Sequence, residues 1–369
     1  MLNPTRLEFA RTRRGWTKTR LARELGVQPR SIQGYESNEY APEQDKLEKI
    51  SELLMFPIEF FYGGDVPLIA ENTASFRSMS KMSATLKNTA FGMGSIAFML
   101  NDWIEARFNL PEADLPDLSD LSPEDAAATL RRMWGLGEGP IRNLIHLLES
   151  RGVRVYSLAI EAKEVDAFSV WHKNCPFVFL NTFKSAEHSR FDAAHELGHL
   201  VRDRHSMLHG EVHSPEMERE ANAFASAFLM PRQNVIAHKP VFPGIPQLIN
   251  IKKYFGVSLA ALAYRMNQLQ LLTEWTYRNL CIQIAKKGYR TKEPEPMLPE
   301  TSQVLAKVFS QLRQEGVGRV EVARQLDVFV TEIDNLTFGL TLSGVTSGGV
   351  SESKYTTSVS RVPLLQIVK

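Results

Sequence analysis

His195-Glu196-Leu197-Gly198-His199 places two imidazoles and a carboxylate within five residues. On a helix, residues four apart share a face with their Cβ atoms roughly 5–6 Å apart, so both imidazoles can reach one metal ion at the ~2.0–2.1 Å usual for zinc and nitrogen. Glu196 stands beside them, where it can take a proton from water on that metal. Arg190-Phe-Asp-Ala-Ala194 leads in and Leu200-Val201 leads out, without proline. Such an apolar-rich stretch suits a buried helix. The chemistry within reach is hydrolysis, provided that a third ligand exists and a fourth position stays open.

Two kinds of third ligand compete. His205 lies ten residues after His195, the spacing of the pattern HExxHxxGxxH, but Arg202 occupies the place of its turn-making glycine. On a continuing helix His205 would sit about 240° around from His199 and face away. The rival lies in Met217-Glu-Arg-Glu-Ala-Asn-Ala-Phe-Ala225, a second helix whose large apolar residues are Phe224, Phe228 and Leu229. Its periodicity puts Glu218 and Glu220 alike at the margin of that stripe and does not choose between them. His205, His209 and His213 recur every four residues and read as a solvated polar loop or helix face. Cys175-Pro-Phe-Val-Phe-Leu-Asn181 reads as a short buried strand, either plain core or a cleft wall to which an extended substrate could add as a further strand.

Phe191–Leu200 together with Glu220-Ala-Asn-Ala-Phe-Ala-Ser-Ala-Phe-Leu-Met-Pro231 resembles the ImmA/IrrE family of metallopeptidases, over roughly residues 140–235. The resemblance implies His195, His199 and Glu220 as ligands of one Zn²⁺ per chain and Glu196 as general base. Ligands of these types also admit Mn²⁺ or Fe²⁺. It implies a partner as well: such peptidases cleave a helix-turn-helix repressor and so switch a stress-response, mobile-element or toxin-antitoxin operon.

The other end of the chain carries different chemistry. Amphipathic spacing predicts a helix from Leu7, one from Thr17 to Leu25, a turn at Gly26-Val27, a helix over Pro29–Tyr35 and another over Glu43–Leu54. Thr17 is suited to cap the second and Pro29 to open the third. Leu21-Ala-Arg-Glu-Leu-Gly-Val27 with Ile32 and Tyr35 closely resembles the XRE class of DNA-binding helix-turn-helix domains, which implies double-stranded operator DNA as partner and a homodimer on it. Residues 1–34 hold eight Lys/Arg against two Glu, whereas residues 35–62 hold two Lys against seven acids. Recognition helices offer their N-terminal side chains to base edges, which makes Gln28, Arg30, Ser31 and Gln33 the candidate readers. Arg13, Arg14, Lys18 and Arg20 are the candidate phosphate contacts.

The elements that must position these groups follow from length and composition. With 369 residues, 43% of them hydrophobic, the chain can hold two to three domains. Its net charge of +1 implies no polyanionic partner by itself. Cys175 and Cys281 stand alone and fit a reducing cytoplasm, and the start lacks the apolar run of a secretory signal. The longest apolar run, near Phe91–Leu100, is too short to span a membrane and reads as a buried helix. Between Arg107 and Arg131, Pro111, Pro116 and Pro123 accompany six acids and no basic residue, the composition of a linker. Residues 248–270, 271–287 and 302–314 show helical spacing, and the Ser/Gly/Thr-rich stretch 341–369 reads as a disordered tail. An internal repeat relates the two ends at an offset of 301: Gly15 to Gly316, Leu21–Val27 to Val322–Val328, Ile32 to Ile333. Residues 304–338 therefore read as a second, degenerate helix-turn-helix. Its reading face has changed from Gln28, Arg30, Ser31 and Gln33 to Phe329, Thr331, Glu332 and Asp334, suited to packing on a peptidase domain or receiving a partner protein rather than to DNA.

The expected architecture is α+β and mostly helical: an N-terminal all-α helix-turn-helix domain (1–64), a helical connector with an acidic Pro-rich linker (65–125), a central minigluzincin-like peptidase domain with a small sheet (126–240), and a C-terminal helical region (241–340) with its tail. The expected function is that of a DNA-binding regulatory zinc endopeptidase. The alternative is a repressor that uses a zinc-binding domain as sensor or dimerisation element without proteolysis. Retention of Glu196 favours the enzyme, because a structural zinc site needs no base.

Overall fold

A computed structural model describes residues 2–70, 74–76, 82–160, 165–204, 214–340 and 366–367. In chain order the helices are α1 (Pro4–Arg13), α2 (Lys18–Leu25), α3 (Pro29–Glu36), α4 (Gln44–Leu54), α5 (Ala84–Glu105), α6 (Pro123–Met133), α7 (Leu144–Ser150), α8 (Ala186–Arg202), α9 (Pro215–Leu229), α10 (Arg232–Ala237), α11 (Ile245–Phe255), α12 (Leu259–Gln268), α13 (Glu274–Lys286), α14 (Gln303–Gln314), α15 (Arg319–Gln325) and α16 (Val330–Leu336). The strands are β1 (Ala74–Phe76), β2 (Phe108–Asn109), β3 (Arg154–Leu158), β4 (Ala167–His172), β5 (Cys175–Asn181) and β6 (Gln366–Ile367). Apart from β6, the expected tail at 341–369 lies outside the described residues. The α+β, mostly helical expectation holds, but the domains do not follow one another along the chain. Met1–Leu68, Ala84–Pro111 and Gln303–Lys369 form one compact unit, and Ile69–Ser83 with Glu112–Ser302 form the other.

In the first unit the helix-turn-helix forms where the caps place it. Thr17 accepts a hydrogen bond from the Arg20 amide, Gly26 closes α2 at φ +70°, and Pro29 opens α3. Leu21, Leu25 and Ile32 fill the space between α2 and α3. The repeat at offset 301 reaches the backbone: α14, α15 and α16 fall where α1, α2 and α3 map to within about two residues. The left-handed residues recur too, Gly15 as Gly316, Gly26 as Asp327 and Asn38 as Gly339. The two copies thus share their turns as well as their apolar spacing.

The second motif belongs to the first unit. The apolar helix α5 packs on both α1 and α16. Arg13 crosses Gly92, where an added Cβ would come within 2.5 Å of its Cδ. It reaches Glu332 at 2.9 Å, and Arg14 reaches the same carboxylate at 2.8 Å. The Glu332 side chain is only 2% exposed. Gln325 accepts from Trp103 at 2.9 Å and from Arg107 at 3.0 Å, a second tie between α15 and α5.

In the second unit a mixed sheet runs β1-β4-β5-β3, with β3 parallel to β5 and the other pairs antiparallel. Because β5 is hydrogen-bonded on both sides, it is a core strand and offers no edge for an added peptide. Helix α8 lies on β4 and β5, and α9 packs on α8 and α6. The acidic stretch 112–122 is no free linker: Leu115 and Leu118 are buried, the Leu118 amide donates to Val201 O at 2.7 Å, and the Asp114 amide donates to Arg151 O at 2.9 Å. The helical run expected over 248–270 is broken by Gly256 at φ +66°, after which Ser258 caps α12. Among the described residues, no helix is long and apolar enough to cross a membrane.

Burial alone would push the Glu332 carboxyl up, yet Arg13 and Arg14 outweigh it and hold it below the usual carboxylate range. A depressed folded pKa stabilises above the unfolded value of ~4.3 and loses that contribution as pH falls through the folded value. Glu332→Gln should therefore cost about 3 kcal/mol at pH 7, because it leaves buried guanidinium charge uncompensated. In urea melts of wild type and variant taken from pH 7 downwards, the difference should hold to about pH 4.5 and shrink below it. A difference constant across that window would contradict the assignment.

Candidate metal centre and nucleic-acid interface

Both imidazoles of the five-residue motif lie on the buried face of α8, with Nε2 atoms 3.1 Å apart. Helix α9 closes on α8 at Gly198, where an added Cβ would sit 3.0 Å from Phe224 and 3.4 Å from the Ala221 Cα. Glu218 lies three residues before Ala221, on the same face of α9, so its carboxylate is delivered to the imidazoles. Its oxygens lie 3.4 Å from His195 Nε2 and 3.4 Å from His199 Nε2. Glu220 points elsewhere: 38% exposed, it pairs with Arg202 at 3.2 Å. The expectation that Glu220 joins the two histidines is thus corrected. Two residues along a helix are 200° around it, and the buried partners Ala221 and Ala225 fix which Glu faces inward. His205, the other sequence candidate, lies outside the described residues, as do His209 and His213.

His195, His199 and Glu218 each offer a ligand atom within 4.8 Å of the others. Both Glu218 oxygens and His195 Nδ1 are buried without a hydrogen bond. Burial opposes charge on both partners in this cluster, but proximity wins. Asp203 and Glu218 lift His199 to about 10, and the imidazoles hold Glu218 far below the carboxylate range. Three converging ligand groups with orphaned polar atoms fit a divalent cation, whose binding would displace the His199 proton. Two supporting contacts carried no signal in the sequence. His199 Nδ1 lies 2.6 Å from Asp203 Oδ2, which fixes the ring and leaves Nε2 toward the cluster. Ser169 of β4 donates to Glu196 Oε2 at 2.7 Å in a buried contact. A second group, Asp166, His188 and Asp192, is also compact, but the Lys184 ammonium already sits on Asp166.

On the first unit, Arg11 forms a bidentate pair with Glu36 at 2.6 and 3.0 Å and so ties α1 to α3. Gln28, Arg30 and Gln33 are exposed along the N-terminal half of α3, and Ser31 is half-buried. Lys18 lies 3.2 Å from Glu36, and Arg20 stacks over Trp16 at 4.2 Å with its flank exposed. Arg13 and Arg14 are not surface cations. The first is buried on Glu332, and the second also donates to Leu54 O at 2.6 Å and Met55 O at 2.8 Å. A charge count could not separate them from Arg20, because their partner is encoded more than 300 residues away. Arg23, exposed on α2 beside Glu24, joins the accessible cations.

Comparison with protein families finds two domains in the chain. Residues 148–267 match the family described as IrrE N-terminal-like domain, and residues 7–61 match the helix-turn-helix family. The chain thus joins a DNA-binding helix-turn-helix domain of XRE type to an IrrE-like metallopeptidase-type domain. No curated protein matches it as a relative.

Binding to DNA should divide the arginines. Arg20→Ala and Arg23→Ala should each flatten the slope of log affinity against log salt by up to ~0.9, one phosphate contact's share. Arg13→Ala should leave that slope unchanged and lower the melting temperature instead. A slope change for Arg13→Ala in filter-binding titrations over 50–200 mM salt would return it to the DNA surface.

Proposed function

We propose that the protein is a regulatory zinc endopeptidase joined to a DNA-binding domain, and that it cuts a helix-turn-helix repressor or a similar partner in the cytoplasm. The observation that carries this reading is the buried hydrogen bond from Ser169 to Glu196 beside the two imidazoles and Glu218. A zinc site built only for sensing or dimerisation has no use for an acid aimed and anchored next to its ligands, so the repressor-only alternative leaves this contact without a purpose. His195, His199 and Glu218 would hold the ion, and Asp203 would orient His199. When bound, zinc supplies Lewis acidity and a water acidified to a pKa of ~7.

Glu196 does the proton work. Ser169 donates to Oε2 and so orients the carboxylate that would accept a proton from water and return it to the leaving amine. Its burial among apolar neighbours of α8 keeps bulk water from competing for that carboxylate. The exposed basic flank of α2 and the N-terminal half of α3 would hold the peptidase at an operator, where a DNA-bound substrate is concentrated. The sequence-reading contacts assigned to Gln28, Arg30, Ser31 and Gln33 belong to the same proposal. A homodimer would supply the second half-site contact.

The division between ligands and base is directly measurable. Glu196→Gln should keep near-stoichiometric zinc by metal analysis and lose cleavage of a partner repressor by at least two orders of magnitude. His199→Ala and Glu218→Ala should lose both metal and cleavage, whereas Glu220→Ala should keep its zinc. Retention of metal by Glu218→Ala, with loss by Glu220→Ala, would reverse the ligand assignment. Undiminished cleavage by Glu196→Gln would end the catalytic reading.

A further inference from the structure

Within the second unit, a cavity of about 490 Å³ opens between α8, α9 and α12. Phe191 of α8, Asn222, Ala223 and Ser226 of α9, and Ala261 and Tyr264 of α12 line it. Its place relative to the metal cluster follows from helix geometry. Phe191 lies four residues before His195 and Asn222 four residues after Glu218, so both walls continue the ligand-bearing faces by one turn, ~5.4 Å. Asn222 binds that turn directly, donating to the Glu218 carbonyl at 2.7 Å. A residue beside a bond held at the cluster is offset by about one residue of extended chain, ~3.3 Å, which brings its side chain to the cavity mouth.

The lining chemistry is specific. Phe191, Ala223, Ala261 and the Tyr264 ring offer an apolar wall. Ser226 is 2% exposed, and its Oγ is buried without any hydrogen-bond partner. A buried hydroxyl left unpaired costs roughly 1–3 kcal/mol unless a ligand or water satisfies it. No carboxylate lines the cavity. Its cation, Arg219, is mostly exposed and already paired with Glu216 at 3.2 Å. A lysine or arginine side chain would therefore find repulsion at the rim and no counter-charge inside, and a buried carboxylate would find no buried cation.

We propose that this cavity receives the side chain of the substrate residue adjoining the scissile bond, and that it selects a long or aromatic uncharged side chain ending in a hydrogen-bonding group. Tyrosine fits best, its ring against Phe191 and Ala223 and its hydroxyl on Ser226. The assignment rests on the peptidase reading and adds the class of residue at which cutting occurs.

The test uses the full zinc-loaded chain carrying Glu196→Gln, so that peptides bind without being cut. The probe is a fluorescent randomised peptide pool with one fixed position occupied in turn by Tyr, Phe, Gln, Gly, Lys or Glu. Binding is read by anisotropy. Tyr should bind tightest, roughly fivefold above Phe and more above Gly, Lys and Glu. Ser226→Ala removes a hydroxyl that nothing in the protein uses, so it should fold normally and bring Tyr down to the level of Phe. Ala223→Phe should fill the cavity and abolish the preference for Tyr over Gly. An unchanged preference in both variants, while the wild-type enzyme still cleaves its partner, overturns the cavity assignment and leaves the peptidase standing. A Tyr preference that both variants abolish, in a chain whose zinc-loaded wild type cuts nothing, supports the cavity as a peptide site and removes the catalytic reading.

Discussion

The second unit depends on how closely α8 and α9 can approach. Gly198 lies between the two histidines of the motif, and a methyl group there would press on Phe224 and the Ala221 backbone. With nothing at that position, the helices meet backbone to ring. Glu218, one turn away, then reaches two imidazoles, one of which is oriented by Asp203. A wider spacing would withdraw the carboxylate while leaving the five-residue motif intact. The candidate metal cluster is therefore a property of a helix pair rather than of the motif that advertises it. The buried Glu187–Lys252 pair, at 2.8 Å, holds the N-terminal end of α8 against α11 and supports the same alignment.

This explains which parts of the site could be read from the sequence. His195, Glu196 and His199 were legible because their spacing alone puts them on one face of one helix. The third ligand group was not, because Glu218 and Glu220 flank the apolar stripe of α9 symmetrically and only the neighbouring helix breaks the tie. Resemblance to a family motif selected Glu220, the first residue of the matching run, whereas the contact falls two residues earlier. Asp203 and Ser169 were invisible for a related reason. Each acts through a contact whose geometry comes from the fold, and neither residue type at its position is unusual.

The first unit shows the same limit from the opposite direction. Caps, turn glycines and apolar spacing made α1 to α4 readable, and the repeat at offset 301 disclosed α14 to α16. What the repeat is for could not be read. Position 31 of the first motif is a half-buried serine on the reading helix, and its counterpart is Glu332, buried beneath α1. One backbone thus serves two ends. In the first copy polar, uncharged or cationic groups face outward, where a duplex can meet them. In the second a carboxylate turns inward, and two arginines that would otherwise look like phosphate contacts become structural. Asp334 is likewise engaged, on Arg319. Two of the four reading positions of the second motif are thus tied up by arginines, while Phe329 and Thr331 stay exposed.

The chain leaves the first unit twice, for Ile69–Ser83 and for Glu112–Ser302, so the peptidase-type unit is inserted in two pieces into the DNA-binding unit rather than appended to it. This ordering constrains folding. Arg13 and Arg14 are synthesised near the start, and the carboxylate that neutralises them arrives more than 300 residues later. Contacts of such long sequence separation form late, because loop-closure entropy must be met before they stabilise anything. Until then α1 carries two guanidinium groups at a surface meant for burial, and the exposed face of α5 lacks its cover. The inserted unit has no such dependence, since its sheet and helices all lie between residues 69 and 302. The fold thereby allows the His195–His199–Glu218 cluster to be complete before the first unit has its last helix. A nascent or truncated chain that ends before Glu332 would carry the His195–His199–Glu218 cluster while Arg13 and Arg14 still lack their carboxylate.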